Sequence, residues 1–327
     1  MPAYKAPLHD IRFLMNEVLD YPTHYKNLSN GELADADTVD MILEGAADFC
    51  ENVLSPLNQS GDEEGCHFEN GNVTTPKGFK EAYDQFVQGG WQGLSYPEQY
   101  GGQNLPMSLN LIKSEMMGTA NWSFQMYPGL SIGCINTIMQ FGTDAQKDTY
   151  LPHLVAGTWS GTMCLTEPQC GTDLGQVKTK AEPQADGTYA ISGTKIFISA
   201  GEHDLTENII HIVLARLPDA PAGTKGISLF IVPKFNVNAD GSLGDIADEV
   251  FHKGLGSVAE RNFRPHISHT CFTPDEELLC VCDLGIDQIK LYEFNHVTGK
   301  LKLYDIIRSQ QESAPRQIEF SQDGKFA

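Results

Sequence analysis

The first half of the chain carries apolar residues at helical spacing. Ile11, Leu14, Met15 and Val18 recur every three or four positions, which places them on one face of a helix. Prolines, glycine pairs and capping residues mark the ends of such stretches. The pattern predicts helices between Pro7 and Pro22, between Asp37 and Pro56, between Thr75-Pro76 and Gly89-Gly90, and over 106–119, 129–141 and 144–156. The apolar stripes of these helices are predicted core positions.

From Gly161 onward the pattern changes from helices to β-strands. Turn sequences such as Asp186-Gly187 and Gly223-Thr224 separate the predicted strands. The predicted strands are 161–166, 177–182, 188–199, 208–215 and 226–232. Residues 236–246 have the composition of a loop or linker. A helical region is therefore followed by a β region.

The end of the chain has a third pattern, short strands joined by Pro-Asp, Thr-Gly and Asp-Gly turns. The predicted strands are 269–273, 278–283, 288–294, 301–306 and 316–320. This spacing is typical of β-propeller blades, and a closed propeller needs at least about four of them. Little more than one blade is expected here. The predicted fold class is thus α+β, with an all-helical domain, an incomplete β domain and a partial β-propeller.

Composition and charge narrow the possible functions. The chain has 327 residues, 41% of them hydrophobic, and a net charge of −21. This charge argues against nucleic acid or an anionic membrane as a partner, because both attract clustered Lys and Arg. The first residues lack an apolar signal region, and no apolar run approaches the length of a membrane span. We therefore expect a cytoplasmic protein.

The eight cysteines form no metal-binding spacing. The nearest pattern is Cys280-Val281-Cys282, and two cysteines that flank one residue of an apolar strand fill a core more often than they bind a metal. We predict no metal site and, in a reducing cytoplasm, free thiols.

Two stretches of the β region carry the candidate chemistry. Residues 163–175 begin as a strand and break at Pro168 into a loop. Such a junction points backbone N–H groups and hydroxyls at one spot, which suits an anion or a flat polar ring, although similar segments also occur as plain turns. In residues 191–201, alternation places Phe197 and Ser199 on one strand face. There an aromatic ring can stack on a ligand ring and a hydroxyl can bond its edge.

Together these stretches resemble the flavin-binding signature of the acyl-CoA dehydrogenases. The matching sequences are C-L-T-E-P-x-x-G-T-D, beginning at Cys164, and G-T-K-I-F-I-S-A-G, beginning at Gly193. Further segments resemble the 3-methylmercaptopropionyl-CoA dehydrogenase branch of that family. They are Tyr4-Lys5-Ala6-Pro7-Leu8, Pro128-Gly129-Leu130-Ser131 and Glu202-His203-Asp204-Leu205-Thr206. The resemblance covers residues 1 to about 240.

The resemblance implies an enzyme that uses FAD to desaturate an acyl-CoA thioester and passes electrons to an electron-transfer flavoprotein. A carboxylate removes the α-proton while hydride leaves to the flavin. Thr166 would bond the polar edge of the flavin ring, Phe197 would stack on the ring where the family often has Trp, and Ser199 would bond near its N5. Thr172 would lie where cofactor and substrate meet. The implied cofactor-binding residues are Met163, Leu165, Thr166, Thr172, Phe197, Ile198 and Ser199.

The resemblance also implies that the matching residues lack the family's C-terminal helical bundle. In the family, the catalytic glutamate and much of the homo-oligomer interface lie in a C-terminal helical bundle, and no such sequence follows residue 240 here. Glu167 and Asp173 are structural members of the motif, and His203 has the setting of a loop histidine. We therefore expect no catalytic residue in this chain, weak or lost flavin binding, and no complete reaction.

Residues 247–327 resemble a different family, the β-propeller lactonases related to 6-phosphogluconolactonase. The matching sequences include Pro265-His266-Ile267-Ser268, Thr298-Gly299-Lys300-Leu301 and Ala314-Pro315-Arg316. Ser268 and Gln317 stand where the family has histidines, while Arg316 is kept. These differences predict that lactone hydrolysis, the activity implied by the resemblance, is absent.

The expected domains are a helical domain over 1–158, a truncated β domain over 159–246 and a propeller fragment over 247–327. Three functional hypotheses follow. The first is an FAD-dependent acyl-CoA dehydrogenase, inactive as written. The second is a lactone hydrolase, and the third is a non-functional fusion of two partial genes. The unpaired strand edges of an unfinished β domain and an unclosed propeller favour the third hypothesis for this polypeptide as written. The longer resemblance favours the first as the functional assignment.

Overall fold

The computed structural model describes residues 4–69, 71–185, 187–238, 243, 267–273, 275, 277–295, 300–309, 315, 318 and 320. The chain divides into two compact units, Met1–Glu182 with Lys195–Gly244, and Pro183–Thr194 with Asp245–Ala327. In the part of the chain that the structure describes, no helix has both the length and the apolar character needed to cross a bilayer.

The regular elements follow the predicted order of helices and then strands. The α-helices are α1 (Leu8–Phe13), α2 (Tyr21–Tyr25), α3 (Ala36–Phe49), α4 (Ser55–Glu64), α5 (Phe79–Gln88), α6 (Met107–Ala120), α7 (Trp122–Phe141) and α8 (Asp144–Ala156). The strands are β1 (His67–Glu69), β2 (Asn72–Thr74), β3 (Trp159–Cys164), β4 (Lys180–Pro183), β5 (Tyr189–Ser192), β6 (Asn208–Arg216), β7 (Ile227–Pro233), β8 (Ile267–Phe272), β9 (Leu278–Asp283), β10 (Gln288–Phe294) and β11 (Leu301–Arg308). The predictions of α6 and α8 are confirmed to within one residue, and the α+β fold class is confirmed.

The helix predicted to stop at Pro56 does not stop there. A π-helical turn at Cys50–Leu54 follows α3 and leads directly into α4. Proline interrupts the regular hydrogen bonds of a helix interior because it has no N–H, and the irregular π-helical turn lies directly before Pro56. Ser55, which precedes the proline, keeps the helical angles φ −60° and ψ −42°.

The prediction that Thr75-Pro76 caps the next helix is also wrong. Helix α5 begins at Phe79, after Gly78, whose φ of 86° favours glycine. The N–H and the hydroxyl of Thr75 instead donate to Asp204 Oδ1 at 3.0 and 2.8 Å. Thr75 therefore fastens the segment before α5 to a segment far along the chain.

Helix α7 begins at Trp122 rather than at residue 129 and continues through Pro128. Its start is set by Asn121, whose side-chain oxygen accepts the N–H of Phe124 at 3.0 Å. Phe124 is buried among aromatic residues, so the first turn of α7 is fixed by a cap and by packing. The rings of Phe49, Phe79, Tyr83 and Phe86 lie 6.0–6.3 Å from the Phe124 ring.

Helix α7 packs directly against strand β3. The closest approach is at Gly161, where an added Cβ would lie 2.3 Å from Cys134 Cβ, so any side chain would push the helix away. The N–H of Gly161 also donates to Ser131 Oγ at 3.0 Å. These contacts fix β3 against the helical layer and determine where its C-terminal end lies.

Strand β6 is central in the sheet of the first unit. It pairs in parallel with β3, where Met163 lies beside Ile212, and antiparallel with β7, where Ile212 lies beside Ile231. β4 joins β6 at Lys180 and Arg216. The strands predicted at 161–166, 208–215 and 226–232 are therefore confirmed to within two residues.

The second unit contains a four-stranded antiparallel sheet in the order β11-β10-β9-β8. This meander is the arrangement of one propeller blade. The strands predicted at 269–273, 278–283, 288–294 and 301–306 are confirmed. The strand predicted at 316–320 falls largely outside the described residues.

We predict that Phe124→Ala lowers the free energy of unfolding by about 3–5 kcal/mol, because it leaves a cavity among four aromatic rings. Phe141→Ala, on the same helix but 71% exposed, is the matched control and should change stability by less than about 0.5 kcal/mol. Urea unfolding followed by circular dichroism measures both. Equal losses in the two variants would show that Phe124 is not central to the core.

Candidate functional site

The first motif segment and the part of the second that begins at Lys195 lie side by side in the first unit. Strand β3 ends at Cys164, and the half-buried Leu165 and Thr166 follow it. The N–H of Ile196 donates to the carbonyl oxygen of Thr166 at 2.9 Å. Residues thirty positions apart are thus joined by a direct backbone hydrogen bond.

Beyond Thr166 the chain makes a tight turn around Pro168. Glu167 and Cys170 exchange backbone hydrogen bonds of 2.8 and 3.1 Å. The turn brings Gly171 back over Thr166, since a Cβ added at Gly171 would lie 3.6 Å from Thr166 Cγ2. Thr172 follows Gly171 and has an exposed side chain.

The loop after Thr172 is held by two polar side chains. Asp173 accepts the N–H of Gly175 at 3.1 Å and the side-chain amide of Gln176 at 2.8 Å. Arg216, at the end of β6, donates to the carbonyl oxygens of Gly175 at 2.9 Å and Val177 at 2.6 Å. Asp173 therefore serves in the structure of the turn.

Glu167 is a buried carboxylate that accepts hydrogen bonds from several segments. Its Oε1 accepts from Lys195 Nζ at 2.8 Å, and from the hydroxyl and N–H of Thr179 at 2.6 and 3.0 Å. Its Oε2 accepts from the N–H of Lys178 at 2.7 Å and from Gln169 Nε2 at 2.5 Å. The side chain is 3% exposed.

These hydrogen-bond donors keep the carboxyl group of Glu167 charged. Burial by itself would raise the pKa of the carboxyl, but the hydrogen bonds from Lys195, Thr179 and the Lys178 N–H outweigh it and lower the pKa to about 2. A carboxylate with a strongly lowered pKa and so many donors is a poor general base. Glu167 is consequently a structural element of the site.

Lys195 completes a clamp between the two motifs, which we call the Glu167–Lys195 clamp. Its Nζ donates to Glu167 Oε1 and, at 3.1 Å, to the carbonyl oxygen of Leu165. The Lys195 side chain is 11% exposed. Lys195 is not among the residues predicted from the sequence. Its place in the motif G-T-K-I-F is the sequence signal for it, whereas its pairing with Glu167 is visible only in the folded chain.

Residues 188–199 were predicted as one strand, and this prediction is wrong. Strand β5 ends at Ser192, and Phe197 has φ 57°, in the left-handed region. Ala200 also has a left-handed φ of 53°, and the N–H of Gly201 donates to the carbonyl oxygen of Ile198 at 3.2 Å, which closes a turn. The cause is tertiary, since residues 195 and 196 bond to the end of β3.

Phe197 nevertheless presents its ring to solvent, with 89% of the residue exposed. The side-chain hydroxyls of Thr166, Thr172 and Ser199 have no hydrogen-bond partner among the residues that the structure describes. Ile198 is half-buried, and Met163 lies on β3 and packs against the core around Trp159. The site thus offers an exposed aromatic ring, and the three hydroxyls lie on the segments that the Ile196–Thr166 hydrogen bond joins.

His203 lies in a closed environment beside this site. Its Nδ1 accepts the N–H of Leu205 at 3.2 Å, and its Nε2 lies 3.0 Å from Ser160 Oγ. The ring of Tyr127 packs edge-on at 5.1 Å. Burial, with smaller contributions from nearby charges, lowers the pKa of His203 to about 4, so the imidazole is neutral and structural.

In the second unit, the residues that the lactonase resemblance singles out lie mostly outside the described residues, including His266, Arg316 and Gln317. Ser268 Oγ lies 3.1 Å from the carbonyl oxygen of Pro315. Cys280 and Cys282 are buried in β9. Over the described ranges, no group of three His, Cys, Asp or Glu side chains is placed to hold a metal ion.

Comparison with known families agrees with the geometry. Residues 36–158 match the family described as "Acyl-CoA dehydrogenase, N-terminal domain", and residues 162–256 match "Acyl-CoA dehydrogenase, middle domain". This part of the chain, residues 36–256, belongs to the acyl-CoA dehydrogenase family. Residues 231–327 match "Lactonase, 7-bladed beta-propeller", so the two kinds of match overlap at 231–256.

Individual relatives agree with this assignment. The chain is 50% identical over 233 residues to 3-methylmercaptopropionyl-CoA dehydrogenase of Ruegeria pomeroyi. The aligned residues make up 71% of this chain and 39% of that protein. The chain therefore spans about two-fifths of the length of this acyl-CoA dehydrogenase.

Solved structures show the same fold. The butyryl-CoA dehydrogenase of Megasphaera elsdenii superposes with a TM-score of 0.52 at 31% identity, over 61% of this chain and 49% of that one. An acyl-CoA dehydrogenase of Bacillus anthracis, solved in complex with FAD, superposes with a TM-score of 0.50 at 27% identity, over 61% of this chain and 31% of that one. The helical domain and β domain described above are those of acyl-CoA dehydrogenases.

We predict that Glu167→Gln destabilises the chain by about 3–5 kcal/mol at neutral pH, because it leaves Lys195 without its buried counter-charge. The folded-state pKa of Glu167 is about 2, below its ordinary value of 4.5, so the carboxylate stabilises the fold above pH 4.5. That contribution is lost as the pH falls towards 2. The stability difference between wild type and variant should therefore shrink over this window in urea unfolding.

The control for this experiment is Glu207→Gln, which neutralises an exposed glutamate of the same unit. It should change stability little and without the same pH dependence. A wild-type advantage over Glu167→Gln that is constant from pH 7 to pH 2 would contradict the assigned charge state.

Proposed function

We propose that residues 1 to about 240 form the FAD-binding and acyl-CoA-binding part of an FAD-dependent acyl-CoA dehydrogenase. The observation that carries the proposal is the 2.9 Å hydrogen bond from the Ile196 N–H to the Thr166 carbonyl. It joins the two segments that resemble the family's flavin signature, and Phe197, the residue after Ile196, is exposed. The identity of 50% to a 3-methylmercaptopropionyl-CoA dehydrogenase supports the same assignment.

The residues present fit a flavin. The exposed ring of Phe197 has an open face on which a flat ring can stack. Thr166 would supply a hydroxyl for the polar edge of that ring and Ser199 one near its N5, and the exposed Thr172 would lie where cofactor and substrate meet. Leu165, Met163 and Ile198 supply the apolar surroundings. When bound, FAD supplies the hydride acceptor for the desaturation of an acyl-CoA thioester.

The proton-abstracting base is not among the described acids of this site. Glu167 is held charged by Lys195 and four further hydrogen bonds, and Asp173 is used by the turn. We infer that the 327 residues by themselves bind FAD weakly and do not complete the reaction. An electron-transfer flavoprotein as acceptor, and assembly into a homo-oligomer, belong to the same proposal through the family resemblance.

The test of the proposed site is FAD binding by Phe197 variants. Phe197→Ala should weaken FAD binding about two- to tenfold, as expected for loss of an aromatic stacking contact. Phe197→Trp should retain or strengthen it, and Phe141→Ala, which removes another exposed ring, should leave it unchanged. Titration of FAD fluorescence measures all four proteins. Equal affinity of wild type and Phe197→Ala would place the flavin elsewhere or nowhere.

A second candidate function rests on the match of residues 231–327 to the propeller lactonases and on the blade-like sheet of the second unit. Both candidates are tested on the same preparation. We predict that these 327 residues neither bleach bound FAD on addition of acyl-CoA nor hydrolyse a sugar lactone above the rate without protein. Bleaching would overturn the inferred inactivity, and lactone turnover without flavin would favour the second function. The absence of FAD binding as well would support the fusion of two partial genes.

A further inference from the structure

The carboxylate of Glu167 joins three separate segments of the first unit. One oxygen accepts from Lys195 and Thr179, and the other accepts from Gln169 and the Lys178 N–H. A charge buried this deeply is retained in a fold only where its hydrogen bonds are satisfied. Replacing such a pair with apolar residues is often neutral for stability, so its presence points to a role in fixing a conformation.

The conformation that the Glu167–Lys195 clamp fixes is that of the second motif. Lys195 donates to the carbonyl oxygen of Leu165 at 3.1 Å, and the next residue, Ile196, donates to that of Thr166 at 2.9 Å. Two consecutive residues are thus bonded to two consecutive carbonyl oxygens at the end of β3. This ladder of two hydrogen bonds and the Lys195–Glu167 ion pair link the two motifs.

Phe197 comes directly after this ladder and needs external support. Its φ of 57° is uncommon for a bulky residue, and such a conformation persists only where its surroundings enforce it. The ring itself is 89% exposed and gains little support from packing. On one side the backbone is held by Lys195 and Ile196, and on the other by the turn from Ile198 to Gly201.

We propose that the Glu167–Lys195 clamp is a positioning device that holds Phe197 in its exposed, left-handed conformation so that its ring is presented to the flavin. The inference rests on the proposed function for the identity of the ligand. The clamp residues touch neither cofactor nor substrate. They act through the backbone of residues 196 and 197 on one side and Leu165 and Thr166 on the other.

The test replaces the pair in a way that leaves no unpaired buried charge. The double variant Glu167→Gln with Lys195→Met removes both charges together and is expected to fold. Lys195→Met alone would leave the buried carboxylate of Glu167 without its counter-charge. Lys178→Met is the matched control, because it removes a neighbouring exposed charge while keeping the N–H that donates to Glu167. Far-ultraviolet circular dichroism establishes that each protein is folded.

Hydrogen exchange in the absence of flavin measures whether the clamp holds the Ile196 amide in its hydrogen bond. The Ile196 amide should exchange about tenfold faster in the double variant than in wild type, since its bond to Thr166 is no longer held in place, and at the wild-type rate in Lys178→Met. Unchanged exchange in the double variant would overturn the proposal. This reading does not depend on whether the chain binds FAD.

The affinity for FAD and the spectrum of bound FAD then test whether the clamp positions Phe197. The double variant should raise the dissociation constant of FAD about tenfold and change the visible circular dichroism of the flavin at saturation, while Lys178→Met does neither. A purely structural clamp would lower the melting temperature and leave the spectrum of bound FAD unchanged, and that result would overturn the proposal. Absence of FAD binding by wild type would instead defeat the proposed function, with the exchange result still deciding the clamp.

Discussion

The buried ion pair between Glu167 and Lys195 is the constraint on which the candidate site depends. Its charges are almost fully removed from water, and every donor around the carboxylate comes from a loop rather than from a regular element. A loop cannot adopt an arbitrary path when its polar groups must satisfy a buried charge. The pair therefore converts three irregular segments into one defined arrangement, with Thr166 and Phe197 at its edge.

The helical layer supplies the fixed reference for this arrangement. Helix α7 is set by the Asn121 cap and by the ring of Phe124, and it contacts β3 so closely that Gly161 has no room for a side chain. The end of β3 is thereby fixed relative to α7, and the clamp transmits that position to the second motif. Arg216 adds a further constraint by holding the loop after Thr172 through backbone carbonyl oxygens.

The elements were predictable from the sequence where local periodicity determines them. Strands such as β6 and β9 follow from short apolar runs bounded by turn residues, and α8 follows from helical spacing after the break at Gly142-Thr143. Predictions failed where a tertiary contact overrides the local pattern. Thr75 looks like a helix cap but bonds Asp204, and Phe197 looks like a strand residue but turns into the left-handed region.

The site was predictable by a different route. The motif residues Thr166, Phe197 and Ser199 were identified through their resemblance to a family, and the hydrogen bond between Ile196 and Thr166 joins the two segments that contain them. The clamp was not identified, because neither periodicity nor spacing indicates that a lysine and a glutamate twenty-eight residues apart will pair. Burial of opposite charges is a property of the folded chain.

Amide hydrogen exchange of the chain with and without saturating FAD tests most directly whether the two motif segments form one flavin-binding surface. We expect slower exchange with FAD in both motif segments, residues 163–166 and 195–199, and no change in strands β8 to β11 of the second unit. Protection of both segments together would mean that they form one flavin surface. Protection of neither, or protection confined to the second unit, would contradict the account.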